Sequence, residues 1–302
     1  MSAFDAYLMV DWSGGSVPSR GPDSIWIAHA RRDGEGLTIP EPVNTPTRAA
    51  ATAHLADAID TCVAARGRVL VGYDFAFGYP EGFARALGLT GHGPAWRRTW
   101  TALAGLIEDR DDNGNNRWRV ASTLNRRLGR RPGPFWNCPA RAVCAALAPT
   151  RPAFPYRAGA SSLEEYREAD RRLRARGRFV QSVWKLYTTG SVGSQTLLGI
   201  PRVAALRLDA LRSGVSRVWP FEATTVPRRG PFVLHTEIWP GMVPLERTLH
   251  SIKDAAQVLT MVRALAARDH AGELRAALDR PRRLGDAHAT HCLDEEGWIL
   301  GA

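Results

Sequence analysis

Ala6-Tyr7-Leu8-Met9-Val10-Asp11-Trp12-Ser13-Gly14-Gly15-Ser16 sets the pattern for the chain: five apolar residues, one carboxylate, then a small polar turn with two glycines. A short apolar run that stops at such a turn reads as a buried strand. Residues 24–30, S-I-W-I-A-H-A, alternate and read as a second strand. Residues 36–43 suggest a third, confined to an edge or shortened by Pro40 and Pro42, because proline cannot donate to a ladder. Thr47 is placed to cap an alanine-rich helix reaching about Ala65, with Leu55, Ile59 and Val63 on one face at a spacing of four. Residues 69–77, V-L-V-G-Y-D-F-A-F, then read as another buried strand with Asp74 inside it. The order strand, strand, strand, helix, strand predicts an α/β fold with a mixed sheet flanked by helices.

The middle of the chain has a different character. Residues 79–200 carry almost all the excess charge: from Tyr79 to Ile200 there are 20 Lys+Arg against 9 Asp+Glu, while the remainder has 20 against 21. The formal net charge of +10 therefore resides in one segment. It reads as a large basic helical insertion (pieces at 94–108, 140–147, 162–176 and 178–187), with loops at 111–116 and 129–134 and a small, polar, flexible stretch at 188–194. The core is then discontinuous, residues 1–78 and 201–302. A near-neutral frame with a basic insertion suits a polyanionic partner, nucleic acid or another phosphoester polyanion; the alternative is a solvated arginine-rich helical surface. Trp96, Trp100, Trp118 and Trp136 among the arginines are either core residues or base-stacking surfaces. Beyond the insertion, residues 218–222 and 232–239 resemble a hairpin with a long turn. Ser251 stands before an amphipathic helix with Ile252, Ala255, Leu259 and Val262 on its buried face. The tail after Arg280 looks irregular.

Several classes are disfavoured. No stretch approaches the 18 or more apolar residues of a membrane span, and the N-terminus lacks a secretory signal, so the expected location is cytoplasmic and no membrane partner is expected. Cys62, Cys138, Cys144 and Cys292 form neither a C-x-x-C pair nor a disulfide framework. His288, His291 and Cys292 read as a solvated helix end or loop rather than a zinc site.

Charged residues within apolar strands need a physical reason, because an ionised carboxylate out of water is costly unless paired or bound to metal. Asp11 ends the first strand, Asp74 lies in residues 69–77, Glu237 lies in 232–239, and Asp254 is in the first turn of the following helix. If the strands are neighbours, these side chains converge at one edge, and a convergent carboxylate cluster repels itself without a divalent cation. Two Mg²⁺ or Mn²⁺ ions about 3.5–4 Å apart would activate water and stabilise the leaving oxygen of a phosphodiester.

V-D-W-S-G at residues 10–14, G-Y-D-F-A-F-G at 72–78, E-I-W-P at 237–240 and K-D-A at 253–255 occur in an order that resembles the RNase H-like superfamily. More narrowly, they resemble a domain-of-unknown-function family of predicted nucleases with that fold. The likeness spans roughly residues 6–78 and 215–267. It implies metal ligands at Asp11, Asp74, Glu237 and Asp254, with Glu222 an alternative to Glu237, and metal-dependent nuclease activity. Lys185 and Lys253 are the chain's two lysines; as compact charges, Lys185 could meet a phosphate or leaving group and Lys253 could neutralise the cluster. Two other functions compete with the nuclease. D-W-S-G-G-S at 11–16 resembles the first phosphate loop of actin-like sugar kinases and ATPases. The chain could also be a non-catalytic nucleic-acid or nucleotide-cofactor binding protein. Oligomeric state is not legible.

Overall fold

The first strand, β1 (Ala6–Asp11), lies between two apolar layers. Ala6, Leu8 and Val10 pack into one cluster, Tyr7 and Met9 into another. A strand buried on both faces has no polar side to alternate with, and this explains its unbroken apolar run. The computed structural model describes residues 2–34, 36–129, 132–188 and 190–302, with the side chains of Asp286 and Ala287 left aside.

The chain continues through β2 (Ile25–Asp33), β3 (Gly36–Thr38), β4 (Val43–Thr45), α1 (Arg48–Ala64) and β5 (Arg68–Tyr73). The intervening segment contains α2 (Phe83–Ala86), α3 (Ala95–Leu106), α4 (Arg117–Leu128), the β6–β7 hairpin (Tyr156–Ala158, Ser161–Leu163), α5 (Glu168–Ala175) and α6 (Val192–Leu208). Then follow β8 (Ser216–Val218), β9 (Phe232–Glu237), α7 (Lys253–His270), α8 (Glu273–Asp279) and α9 (Asp286–His291). Among the described residues, seven strands form one mixed sheet in the order β3-β2-β1-β5-β9-β8, with β4 also pairing with β2. The strands β1, β5, β9 and β8 are parallel; β2 runs antiparallel to β1. The α/β class and the mixed sheet flanked by helices are as expected.

Helices cover both faces. Ala51, Leu55 and Ile59 of α1 and Leu197, Ile200 and Val203 of α6 share the first cluster with Val69 and Val71. Val258, Met261, Val262 and Leu265 of α7 share the second with Leu70 and Leu234. Thr47 caps α1 as expected, its hydroxyl accepting from Ala50 N at 3.1 Å. Trp96 and Trp100 of α3 are buried in the first cluster, so the frame and residues 79–200 share one core. No helix of the described residues is long and apolar enough to cross a membrane.

Several local expectations are corrected. Residues 36–43 do not make one strand: Pro40 and Pro42 separate β3 from β4, and each pairs with a different part of β2. Asp74 lies just beyond β5, not within it. Residues 218–222 and 232–239 are no hairpin, since β8 and β9 are parallel. Trp219, fully buried in the second cluster with its indole N–H donating to Leu278 O at 2.9 Å, draws the connection across the α7–α8 layer. The chain re-enters the sheet at Phe232, whose N–H donates to Gly67 O at 3.1 Å. Residues 140–147 hold only one 3-10 turn and residues 178–187 no helix. Ile252, not Ser251, is the N-cap of α7. Five helices had no sequence counterpart: the short α2 and α8, α9 in a tail expected to be irregular, and the longer α4 and α6. In α4 the spacing of Val120, Ala121, Leu124 and Leu128 is partly hidden among arginines. In α6, burial on several sides removes the polar face that periodicity needs.

Candidate active site

The C-terminal ends of β1, β5 and β9 lie side by side, where open parallel sheets commonly bind ligands. The register pairs Val10 with Tyr73 and Tyr73 with Glu237. Asp11 and Asp74 are therefore adjacent, each one residue past that pair. By alternation both project to the face carrying Met9 and Leu70, the face that α7 covers. Asp74 N donates to Val10 O at 3.3 Å, and Asp74 Oδ1 accepts from Trp12 N at 2.7 Å. Asp74 thus fixes the turn leaving β1. Asp254, in the first turn of α7, adds its charge to the same site while its Oδ2 accepts from Asp23 N at 2.7 Å.

This grouping has an electrostatic signature. Burial raises the Asp11 carboxyl well above the usual range, and the charges of Asp74 and Asp254 push it further, opposed by Lys253. Asp74 is pushed up to about 7, chiefly by burial, with Asp254 adding to the rise and the Trp12 N–H opposing it. The two carboxyls lie within hydrogen-bonding reach of each other, so they hold a proton between them or need a cation. Among the described residues, no three His, Cys, Asp or Glu side chains are already drawn together as a metal site.

Glu237 stands apart from this pair. It shares a cleft of about 410 Å³ with Asp11, Asp74 and Lys253. Its register partner is Tyr73, so it projects to the opposite face, where Val233 is buried. There its carboxylate forms a two-pronged pair with Arg167: Nη2 to Oε1 at 2.6 Å and Nη1 to Oε2 at 2.7 Å. Phe77 N also donates to Oε2, at 3.1 Å. Arg167 holds Asp170 at 2.9 Å as well, and all three are buried. Glu222, the alternative, pairs with Arg207 and Arg97. Lys185 lines neither of the two clefts at Asp11; its carbonyl accepts from Gly193 N at 3.0 Å, fixing the start of α6. Lys253 is exposed and lines the 410 Å³ cleft.

A second cleft, about 440 Å³, begins at Asp11 and Gln195 and runs along Ser13, Gly14 and Gly15 to Arg117 and Tyr187. The loop is held from behind by the fully buried Arg48, whose Nη1 donates to Ser13 O at 3.0 Å and Gly15 O at 2.7 Å while its other nitrogens engage Asp109. From α6, Gln195 Nε2 donates to Trp12 O. Gly14 permits this approach, since a Cβ there would lie 2.9 Å from Ser194 Cβ. Sequence reading missed Arg48, Arg117 and Gln195. The one signal for them was that arginines abound near an Asp/Asn-rich loop, which does not single out two of them. Of the other candidates, His291 pairs with Glu81, and Cys292 is fully buried. Comparison of the chain with family models, with curated proteins and with solved structures gives no significant match.

Proposed function

We propose that this chain is a divalent-cation-dependent nuclease on an RNase H-like core. The observation that carries the reading is the adjacency of Asp11 and Asp74 at the ends of two central parallel strands, with Asp254 facing them from α7. The donor set fits Mg²⁺ or Mn²⁺: hard carboxylate oxygens, too close to ionise together without a counter-charge. Asp11 and Asp74 would hold the cation and Asp254 would complete the set. Glu237 is left out, because Arg167 already satisfies its charge. The cation would supply Lewis acidity at a phosphodiester and acidify the attacking water.

The chain's own residues do the rest. Asp74 fixes the Asp11–Trp12 turn, and Lys253 supplies positive charge toward Asp11. Phe179, 75 % exposed, lines the cleft and follows exposed Arg176 and Arg178 in the chain, a grouping suited to a nucleic-acid strand. The test is cleavage of labelled DNA, RNA, hybrid and junction substrates with Mn²⁺, using Asp11→Asn as the blank. Cleavage by the wild type alone supports the reading. Equal cleavage by both, or none by the wild type, contradicts it; ATP turnover without cleavage favours a phosphate-loop enzyme.

A further inference from the structure

Arg117 differs from the other deeply buried arginines. Arg48 faces Asp109, and Arg167 faces Asp170 and Glu237. Arg117 is 6 % exposed, yet among the described residues its partners are neutral. Its Nε donates to Ser194 Oγ at 3.1 Å, and its Nη1 to Ser16 Oγ and Asn115 Oδ1, both at 2.8 Å. No acceptor within the described residues is seen for Nη2. The guanidinium also sits over the Trp118 ring, 4.4 Å from its centroid, which restrains its plane. Burial, with repulsion from Arg48 and Arg141, lowers its pKa to about 10, and the attraction of Asp109, which is itself paired with Arg48 and Arg202, only partly opposes this. A buried charge whose hydrogen bonds all go to neutral groups is costly, and a side chain held this firmly by them is set up for an anion from outside.

The cleft that Arg117 lines leads to Asp11 past Ser13, Gly14 and Gly15. We propose that Arg117 and the Ser13–Ser16 loop form a phosphate-accepting subsite that holds a substrate phosphate beside the carboxylates. With Nε and Nη1 engaged, the N–H groups of Nη2 are the ones left to donate to a phosphate oxygen, in a plane already fixed by the other bonds. Tyr187, 44 % exposed and edge-on to Trp118 at 6.0 Å, offers a ring in the same cleft for an attached base. The placement beside reactive carboxylates rests on the proposed function; the binding of phosphate does not.

The experiment is done without metal, in chelator, at constant ionic strength. Inorganic phosphate and a thymidine dinucleotide are titrated by thermal shift and calorimetry into wild type, Arg117→Gln, Arg117→Lys and Asp11→Asn. The wild type should bind phosphate, and Asp11→Asn should bind it at least as tightly, since a carboxylate beside the anion is removed; Arg117→Gln should weaken binding roughly tenfold or more. Arg117→Lys keeps the charge without the fixed, planar guanidinium; it should fold and show an intermediate loss, which carries the test if Arg117→Gln does not fold. Tighter binding of the dinucleotide assigns the subsite to a polynucleotide, and equal binding to a free or terminal phosphate. A larger arginine-rich cavity, about 710 Å³ around Arg32, Arg68, Arg228 and Arg275, lies at the other end of the sheet, so the difference between variants is the readout. Equal phosphate affinity in wild type and both Arg117 variants, or no binding by the wild type, overturns the subsite. Loss of cleavage in Asp11→Asn with phosphate binding retained separates the two claims.

Discussion

Glu237→Gln separates a structural carboxylate from a metal ligand. The substitution keeps shape and removes one charge from the Arg167–Asp170–Glu237 group, whose members are all buried, Glu237 at 3 % exposure. Burial raises the Glu237 pKa, and the Arg167 charge and hydrogen bonds oppose that rise. Removing one partner of a buried ion pair costs about 3–5 kcal/mol, because the remaining charge loses its compensation. An unfolding entropy of about 2.1 cal/mol/K per residue gives roughly 0.6 kcal/mol/K for this chain, so Tm should fall by about 5–8 °C. Differential scanning calorimetry in chelator measures this without interference from metal. Mn²⁺ affinity, measured in parallel, should stay within about twofold of wild type. A Tm change below about 1 °C together with lost Mn²⁺ affinity would refute the assignment and return Glu237 to the ligand set.

Other parts of the structure make their own demands. His235 is buried, with Nε2 2.9 Å from Ser216 Oγ, and burial with the charges of Arg207 and Arg212 pushes its pKa down to about 3. Its folded pKa lies below the unfolded value of about 6.5, so the unfolded state takes the proton first. The stability His235 confers is complete above pH 6.5 and is lost as pH falls toward 3, on the order of 5 kcal/mol. His235→Gln should flatten the Tm–pH curve over that window, and an unchanged slope would contradict the neutral buried histidine. Gly78→Ala would place a Cβ 2.2 Å from Glu295 O and 2.6 Å from Glu296 O, both backbone atoms. It should cost about 1–3 kcal/mol in urea unfolding; wild-type stability would rule out this close seating of the C-terminal segment.

Much of the frame was legible because short apolar runs with polar stops determine strands. Ala6–Asp11 and Arg68–Tyr73 announced themselves in this way, and the Thr47 hydroxyl announced α1. Asp11 and Asp74 were legible for the same reason: each is a carboxylate at the end of an apolar run. Glu237 followed the same local pattern, but its role depended on parity across the sheet. The Tyr73–Glu237 register sends it to the face where Arg167 waits, 70 residues away in sequence. Arginines 48 and 117 could not be singled out in a chain with 40 basic residues, since only the fold decides which of them are buried. The parallel pairing of β8 and β9 was hidden by the proximity of two strand-like runs. Trp219, buried across the α7 layer, decides that path and has no local signature.

A nuclease of the proposed kind requires a cation held by the strand-end aspartates. Titration of Mn²⁺ followed by electron paramagnetic resonance, with wild type, Asp74→Asn and Glu237→Gln, addresses it without knowledge of the substrate. The wild type should bind Mn²⁺, Asp74→Asn should weaken binding at least about tenfold, and Glu237→Gln should keep near wild-type affinity. Equal affinity in wild type and Asp74→Asn, or no Mn²⁺ binding by the wild type, would contradict a cation site at these aspartates.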